Sequence, residues 1–258
     1  MKVHFAARAA RAGTGLCALG AAVCAALPGT TYAQDSMLEE ITVTAQKREE
    51  RALEVPMTVD VFSARDIVET GALNLEDIQD FIPGFEVGSN PTQAGITIRG
   101  VSSVNISTGG DPSVATFYDG AYVPRAATTA SFTDMQRVEV LKGPQGTLYG
   151  RNAAAGVVNL VPNRPSDGAE GFIKTRFGNY ALNRFELMGN VPLSDNVFLR
   201  ANVLRNQRDG YIENRVPGGR NGGDQDNFAA RLSMLWRVSD QTDLQVSYDH
   251  DQVDNAPR

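Results

Sequence analysis

The sequence predicts a compact α+β domain followed by antiparallel transmembrane β-strands of an incomplete β-barrel. Three observations lead to this fold class. Residues 53–165 combine short strand patterns with two capped helices. After residue 165, apolar and polar residues alternate in five segments, as they do in the strands of a membrane barrel. The chain also begins with an export signal, which directs it out of the cytoplasm.

The export signal is predicted over residues 1–33. Its only charges are Lys2, Arg8 and Arg11, and an apolar run follows at residues 12–27. A transmembrane anchor would need roughly 20 apolar residues, so this run favours a signal peptide cleaved after residue 33. A lipoprotein signal is disfavoured because a bulky Val23 precedes Cys24.

The composition argues against catalysis and nucleic-acid binding. The chain has 24 Lys and Arg against 30 Asp and Glu, a net charge of −6 that is unsuited to a polyanionic partner. Cys17, Cys24 and His4 lie in the export signal, which leaves His250 as the one remaining Cys or His. A zinc site is therefore not expected, and a Ser-His-Asp enzyme would depend on His250 alone. We predict no enzyme, no cofactor and no metal.

Residues 34–52 are predicted to form a short polar tail with one strand-like motif. Ile41, Val43 and Ala45 alternate with Thr42 and Thr44, between charged residues on both sides. Such alternation favours an extended backbone, and a short strand offers its edge for pairing with another protein. An ordinary first strand of the following domain explains the motif equally well. We expect residues 1–50 to be poorly ordered.

Strand patterns occupy much of the α+β domain. Strands are expected at residues 56–62, 96–99, 137–141 and 156–161. A hairpin is expected over residues 115–123, because Asp119 and Gly120 form a strong turn signal. The glycine-punctuated segment 142–152 lacks the Lys and Ser or Thr of a phosphate loop after Gly150, so tight turns are expected there.

Two short helices are predicted in the same domain. Ser63 with Asp66 resembles a capping box, and Gly71 is placed to end that helix. Asn74 with Asp77 begins a second helix, which the Pro-Gly pair at residues 83–84 ends.

Five strands are predicted over residues 166–258. Alternation is found at residues 173–177, 184–191, 197–203, 228–238 and 244–248. The connections at 192–196 and 239–243 are short, whereas residues 207–227 form a long polar loop. Short turns on one side and long loops on the other are typical of outer-membrane barrels. A soluble antiparallel sheet with one wet face is the competing interpretation, and the connection lengths argue against it.

Several motifs resemble those of TonB-dependent outer-membrane receptors. Residues 39–45 resemble a TonB box, and residues 98–101, 111–114, 118–120 and 137–152 resemble the plug domain of these receptors. The block at 137–152 is the longest and most specific. The resemblance implies uptake of a scarce ligand, most often a ferric siderophore, across the outer membrane of a Gram-negative bacterium, driven by the inner-membrane TonB complex.

The resemblance also implies roles for individual residues. The segment that would pair with the C-terminal domain of TonB is Glu40, Ile41, Thr42, Val43, Thr44 and Ala45. The exposed plug loops that would bind ligand contain Ser102, Ser107, Gly109, Gly110 and Asp111. The charged residues that would contact the barrel interior are Arg99, Arg137, Glu139, Lys142 and Arg151. On an isolated domain these charges would instead be solvated surface.

Five strands are too few to close a barrel. Plugged transporters close with about 22 strands, and an open strand edge is not tolerated in lipid. We therefore expect the N-terminal part of a longer receptor. Its parts are a signal peptide at 1–33, a tail with the TonB box at 34–52, a plug domain at 53–165 and barrel strands at 166–258. A soluble periplasmic plug-type binding module, or a non-functional shortened receptor, is the alternative.

Overall fold

The computed structural model describes most of the chain from residue 42 onward. The described residues are 42–48, 50–88, 95–103, 110–125, 128, 130–216 and 218–256. The predicted signal peptide, Glu40 and Ile41 lie outside these residues. Ser107 and Gly109, two of the residues predicted to bind ligand, also lie outside them.

The described part of the α+β domain contains short strands and helices. In chain order they are β1 (Thr42–Val43), β2 (Glu50–Arg51), β3 (Thr58–Ser63), α1 (Ala64–Thr70), α2 (Leu75–Ile78), β4 (Phe85–Gly88), β5 (Gly95–Ile98), β6 (Val114–Tyr118), β7 (Ala121–Val123), β8 (Met135–Lys142), α3 (Gly146–Tyr149) and β9 (Gly156–Pro162). The predicted strands and the hairpin are confirmed, with small shifts at their ends. The sequence did not predict β2, β4 or α3.

Both predicted helix starts are confirmed by their caps. The Ser63 side chain accepts a hydrogen bond from the Asp66 backbone N–H, and the Asp66 carboxylate accepts one from the Ser63 N–H at 2.8 Å. This capping box begins α1, which ends at Gly71 with φ at +72°. Asn74 caps α2 by accepting from the Asp77 N–H at 3.2 Å.

The central sheet of the domain has the strand order β3-β8-β9-β6-β7. Neighbouring strands are antiparallel except β6 and β9, which are parallel. The hairpin β6–β7 turns at Asp119 and Gly120, whose φ angles are +49° and +79°. These are the left-handed conformations that the Asp-Gly pair favours in a tight hairpin.

Apolar residues cover both faces of this sheet, since successive side chains of a strand point to opposite faces. Val138 and Val140 belong to a core cluster with residues of α2, β4 and β5. Leu141 points to the other face, where it packs in a cluster that includes Val43 and Ala45. All five are completely buried, and burying each larger side chain contributes about 1.5–3 kcal/mol. The chain that precedes β2 therefore forms part of the core.

A second sheet follows, and we call it the barrel wall. Its strands are β10 (Glu170–Gly178), β11 (Leu182–Ser194), β12 (Val197–Arg208), β13 (Gln225–Ser239) and β14 (Thr242–Val253). They pair in sequence order, and each neighbouring pair is antiparallel. The five predicted strands are thereby confirmed, together with the long connection between β12 and β13.

The barrel wall distributes its side chains in the opposite way to a soluble sheet. Ile173 is 68% exposed and Phe177 is 74% exposed on one face, whereas Asn206 and Arg231 are buried on the other. Apolar residues that face outward and polar residues that face the protein interior are typical of a transmembrane barrel. Among the helices of the described residues, none is long and apolar enough to cross a membrane.

Candidate functional site

One buried glutamate holds residues 42–48, which we call the N-terminal segment. Glu139 of β8 is fully buried, and its Oε1 accepts a hydrogen bond from the Thr44 N–H at 2.8 Å. The Thr44 hydroxyl lies 3.1 Å from both carboxylate oxygens. Arg137 Nε donates to Oε1 at 2.7 Å, and Asn159 Nδ2 donates to Oε2 at 3.2 Å. Both oxygens of the buried carboxylate therefore have donors, which offset the cost of removing the charge from water.

Strand register brings this cluster together. β8 and β9 pair so that Glu139 lies opposite Asn159, and Arg137 shares the Glu139 face because it lies two residues earlier on the same strand. Asn159 Nδ2 also donates to the Thr44 hydroxyl at 2.9 Å. Thr44 thus completes a polar cluster on a sheet face that is otherwise covered by apolar residues.

Tyr149 of α3 forms a second attachment point. Its hydroxyl donates to the backbone carbonyl oxygens of Thr44 at 3.2 Å and Ala45 at 3.0 Å. Burial, and then the negative charge of Glu139, raises the pKa of Tyr149 to about 12. The phenol therefore stays a neutral donor over the physiological pH range. Lys47 Nζ lies 5.5 Å from the centre of the Tyr149 ring, within cation–π distance.

The expectation that residues 1–50 are poorly ordered is wrong for the N-terminal segment. Val43 and Ala45 are completely buried, and β1 is paired with β2. The physical reason is the Glu139 cluster, which offers a buried charge for Thr44 beside an apolar surface for its two neighbours. Thr42 alone of the described TonB-box residues is exposed, and pairing of this motif with TonB stays a prediction.

Arg200 joins the barrel wall to the α+β domain. Its guanidinium makes a bidentate ion pair with Asp134, in which Nη2 lies 2.7 Å from Oδ1 and Nε contacts Oδ2. Its Nη1 also contacts the Glu170 carboxylate at 2.6 Å. Arg200 and Asp134 are both buried, and Asn163 Nδ2 donates to Asp134 Oδ1 at 2.9 Å. A bidentate pair of this kind fixes orientation as well as distance.

Arg231 makes a second such connection on the neighbouring strand β13. It donates to Asp119 of the β6–β7 turn at 2.6 Å and to Asp249 of β14 at 2.7 Å. The Tyr118 hydroxyl donates to the same Asp249 carboxylate at 3.1 Å. Burial, and then the charge of Asp249, raises the pKa of Tyr118 above its usual value. The phenol therefore remains a donor at this interface.

The two aspartates of the α+β domain share a backbone feature. Asp119 and Asp134 have φ angles of +49° and +47°, a left-handed conformation that Asp tolerates better than most residues. Each lies outside a strand, and from there its carboxylate reaches an arginine of the wall. When such an interface separates, its charged groups regain favourable hydration. Removing one partner of a buried pair instead lowers stability by about 3–5 kcal/mol, because the other charge stays buried without a counter-charge.

Three of the residues predicted to contact the barrel interior are buried in the α+β domain. Arg137 and Glu139 pair with each other at 2.7 Å. Lys142 forms an ion pair with Asp60 and donates to the Pro83 carbonyl oxygen at 2.6 Å. These partners all belong to the α+β domain, so contact of the three residues with barrel strands stays a prediction.

The remaining predicted site residues lie on exposed turns. Arg151 pairs with Asp111 at 3.1 Å, and both side chains are more than half exposed. Arg99 is exposed with φ at +51°, Ser102 is exposed, and Gly110 is half-buried. Asp111, Ser102 and Gly110 are accessible to a ligand, although their role in binding stays a prediction.

The residues that join the two sheets were not singled out from the sequence. Arg200 and Arg231 occupy polar positions of the alternating pattern. This alternation is the feature of the sequence that indicates an inward orientation of their side chains. In the sequence, Asp119 marks a turn and belongs to the plug-like motif at residues 118–120, whereas no motif marks Asp134. Their partners are 66 and 112 residues distant along the chain, so local patterns do not pair them.

Comparison with known proteins gives one family for this arrangement. Residues 51–157 match the family model described as the TonB-dependent receptor plug domain. The pesticin receptor of Yersinia pestis is 30% identical over 198 residues, which cover 74% of this chain and 29% of that protein. The vitamin B12 transporter BtuB of Vibrio vulnificus is 35% identical over 143 residues, which cover 52% of this chain and 22% of that protein.

A solved structure is similar over the same region. The crystal structure of the ferric yersiniabactin uptake receptor FyuA from Yersinia pestis matches with a TM-score of 0.70 and 26% identity, covering 76% of this chain and 31% of that one. The chain spans less than a third of the length of each of these three proteins. The predicted fold class, an α+β plug domain followed by barrel strands, is confirmed.

Proposed function

Because the chain belongs to the TonB-dependent outer-membrane receptors, we propose that it is the N-terminal part of a receptor for energised uptake of a scarce ligand. Residues 1–33 direct export, residues 34–52 carry the TonB box, and residues 53–165 form the plug. Residues 166–258 begin the barrel in the outer membrane of a Gram-negative bacterium.

The observation that carries this proposal is the pair of buried ionic contacts between the plug and the inward face of the barrel wall. Arg200 and Arg231 bind plug carboxylates there, while Ile173, Phe177 and Val246 are exposed on the outward face. A soluble periplasmic plug module would leave that apolar face in water, where it would promote aggregation. Lipid covers such a face without that cost.

In the proposed mechanism, ligand binds to exposed plug loops on the external side. These loops contain Ser102, Ser107, Gly109, Gly110 and Asp111. Binding shifts the plug and releases the N-terminal segment from Glu139. Residues 40–45 then add as a strand to the C-terminal domain of TonB, since an extended peptide can pair its backbone with an exposed sheet edge. Force applied to this strand is transmitted to β3 and remodels the plug.

We propose that the ligand is a ferric siderophore or another iron complex. FyuA is a ferric yersiniabactin uptake receptor, which favours this class. Vitamin B12 is the second candidate, because BtuB is a vitamin B12 transporter. We propose no cofactor, since the chemistry is binding and movement rather than bond making.

The proposal is tested in the full-length receptor, expressed in a Gram-negative strain that lacks other TonB-dependent receptors. A panel of radiolabelled ferric siderophores and vitamin B12 first identifies a ligand that the cells accumulate. Deletion of residues 40–45 is then expected to abolish accumulation while surface binding is retained. Deletion of residues 34–38, in the same tail but outside the motif, is the control and should leave accumulation intact. Accumulation that survives the first deletion would overturn the proposal.

A further inference from the structure

A cavity lies between the plug and the first strands of the barrel wall. It has a volume of about 410 Å³, and α1 forms one side of it. The wall contributes Lys174, Arg176, Arg184 and Glu186 to the other side. A second cavity of about 330 Å³ shares Arg176 and Arg184 with the first. The two arginines therefore lie where two internal spaces meet along the inner surface of the wall.

Arg176 and Arg184 face each other directly. β10 and β11 pair with Arg176 opposite Arg184, so the two side chains leave the same face of the sheet as cross-strand neighbours. Like charges in such positions destabilise a sheet. The next inward-facing pair, Lys174 opposite Glu186, has complementary charges instead. The repulsive pair is thus a local departure from the charge pattern of these strands.

Neither guanidinium has a carboxylate partner among the residues that the structure describes. Arg200 and Arg231, on the same inward face, each bind two carboxylates. Arg184 instead donates to the Gly71 carbonyl oxygen, 3.4 Å from its Nη1, while the Glu186 and Asp77 carboxylates attract it without forming an ion pair. Two positive charges are therefore placed together in a partly enclosed space without counter-ions in contact.

The end of α1 is shaped around this pair. Gly71, the residue that ends the helix, has no side chain, and a Cβ atom built there would lie 2.5 Å from Arg176 Nη1. The guanidinium thus occupies space that any other residue at position 71 would fill. Arg176 Nη1 therefore lies against the backbone of Gly71, whose carbonyl oxygen accepts from Arg184.

We propose that Arg176 and Arg184 form a binding site for an oxyanion, such as a carboxylate group carried by the transported ligand. Each guanidinium presents several N–H donors in a planar fork that matches a carboxylate, and an anion between them would remove their repulsion. A space of this volume is in the range of small-molecule sites. The purpose of the site, passage of ligand between plug and wall, rests on the proposed function, whereas anion binding can be tested without transport.

The test uses the full-length receptor purified in detergent, with citrate as the probe. Thermal unfolding is measured in sodium citrate and in sodium chloride at equal ionic strength. Citrate is expected to raise the midpoint of the wild-type protein, because a ligand that binds only the folded state stabilises it. The double variant R176Q/R184Q should lose this rise. The control R65Q/R215Q, which removes two exposed arginines outside the cavity, should keep it.

Two results would overturn the proposal: no citrate-specific rise in the wild type, or an undiminished rise in R176Q/R184Q. If the glutamine variant does not fold, R176K/R184K replaces it. That variant keeps both charges but lacks the planar fork, so its rise should shrink. Loss of uptake with an intact citrate effect would contradict the proposed function and leave the anion site standing.

Discussion

At the residue scale, Glu139 holds the N-terminal segment to the plug. Its carboxylate accepts hydrogen bonds from Thr44, Arg137 and Asn159, while no part of it reaches solvent. A hydrogen bond to a buried charge contributes about 1.5–3 kcal/mol, which is enough to keep a short segment docked yet small enough for binding events to offset. These hydrogen bonds act together with the burial of Val43 and Ala45, so weakening them should shift the segment toward its released form.

Replacing Glu139 by Gln should release the segment. The amide presents an NH₂ group to the Asn159 and Thr44 donors and removes the charge that faces Arg137. In the full-length receptor, a spin label at R48C is expected to become mobile in E139Q. The loss of one charged hydrogen bond, about 1.5–3 kcal/mol, corresponds to at least a tenfold shift toward the released form.

The matched control is E86Q, which changes an exposed glutamate of β4 and should leave the label immobile. Thr44→Val provides a milder test, because it removes only the hydroxyl contacts with Glu139 and Asn159. An equally immobile label in E139Q and T44V would show that Glu139 does not hold the segment.

At the element scale, strands of the barrel wall are tied to the plug by ion pairs at turns. Asp134 and Asp119 project from left-handed backbone positions toward Arg200 and Arg231. This arrangement concentrates the connection in a few directed contacts. The plug also carries an exposed pair, Arg151 with Asp111, which offers an internal comparison.

Breaking the buried pair should destabilise the protein far more than breaking the exposed one. Arg200→Gln leaves Asp134 buried without its partner, at an expected cost of about 3–5 kcal/mol. Arg151→Gln should cost less than about 1 kcal/mol, because solvent screens its pair with Asp111. Guanidinium unfolding of the full-length receptor in detergent measures both. Equal effects of the two substitutions would contradict the role given to Arg200, and R200Q/D134N should recover part of the loss.

Sequence patterns predicted the elements with local signals and missed those without them. The Ser63 cap, the Asn74 cap and the Asp-Gly turn are local, and each was found where it was expected. Helix α3 lacks a side-chain cap at Gln145, so nothing in the sequence signalled its start. The parallel pairing of β6 with β9 joins segments that are distant along the chain. The alternation of apolar and polar residues does not identify which strands pair.

The contacts of the candidate functional site were missed for the same reason. The strand-like motif at residues 41–45 was predicted from its alternating residues, but the burial of its described part depends on Glu139, 95 residues away from Thr44. Arg137 and Glu139 were predicted to contact the barrel interior, but among the described residues they pair with each other. The alternation of residues along a strand predicts which side chains share a face. It does not predict which residues of distant strands contact each other, because those contacts depend on the tertiary structure.

At the scale of the whole molecule, the described chain places a plug against the inward face of five barrel strands. The inward face is polar and bound to the plug by ion pairs, and the outward face is apolar and free. This distribution is typical of a barrel wall with lipid on one side and protein on the other. The central claim is thus that neighbouring residues of a wall strand face different environments.

The most direct test places single cysteines at residues 244–247 of β14, in a full-length receptor that carries no other cysteine after export; residues 25–258 contain none. Each is spin-labelled in the full-length receptor, which is reconstituted in lipid bilayers, and accessibility to oxygen and to a water-soluble nickel chelate is measured. Labels at Leu244 and Val246 are expected to contact lipid-dissolved oxygen freely, and labels at Gln245 and Ser247 to be protected. Four labels equally accessible to the nickel chelate, without alternation, would contradict a barrel wall in the membrane.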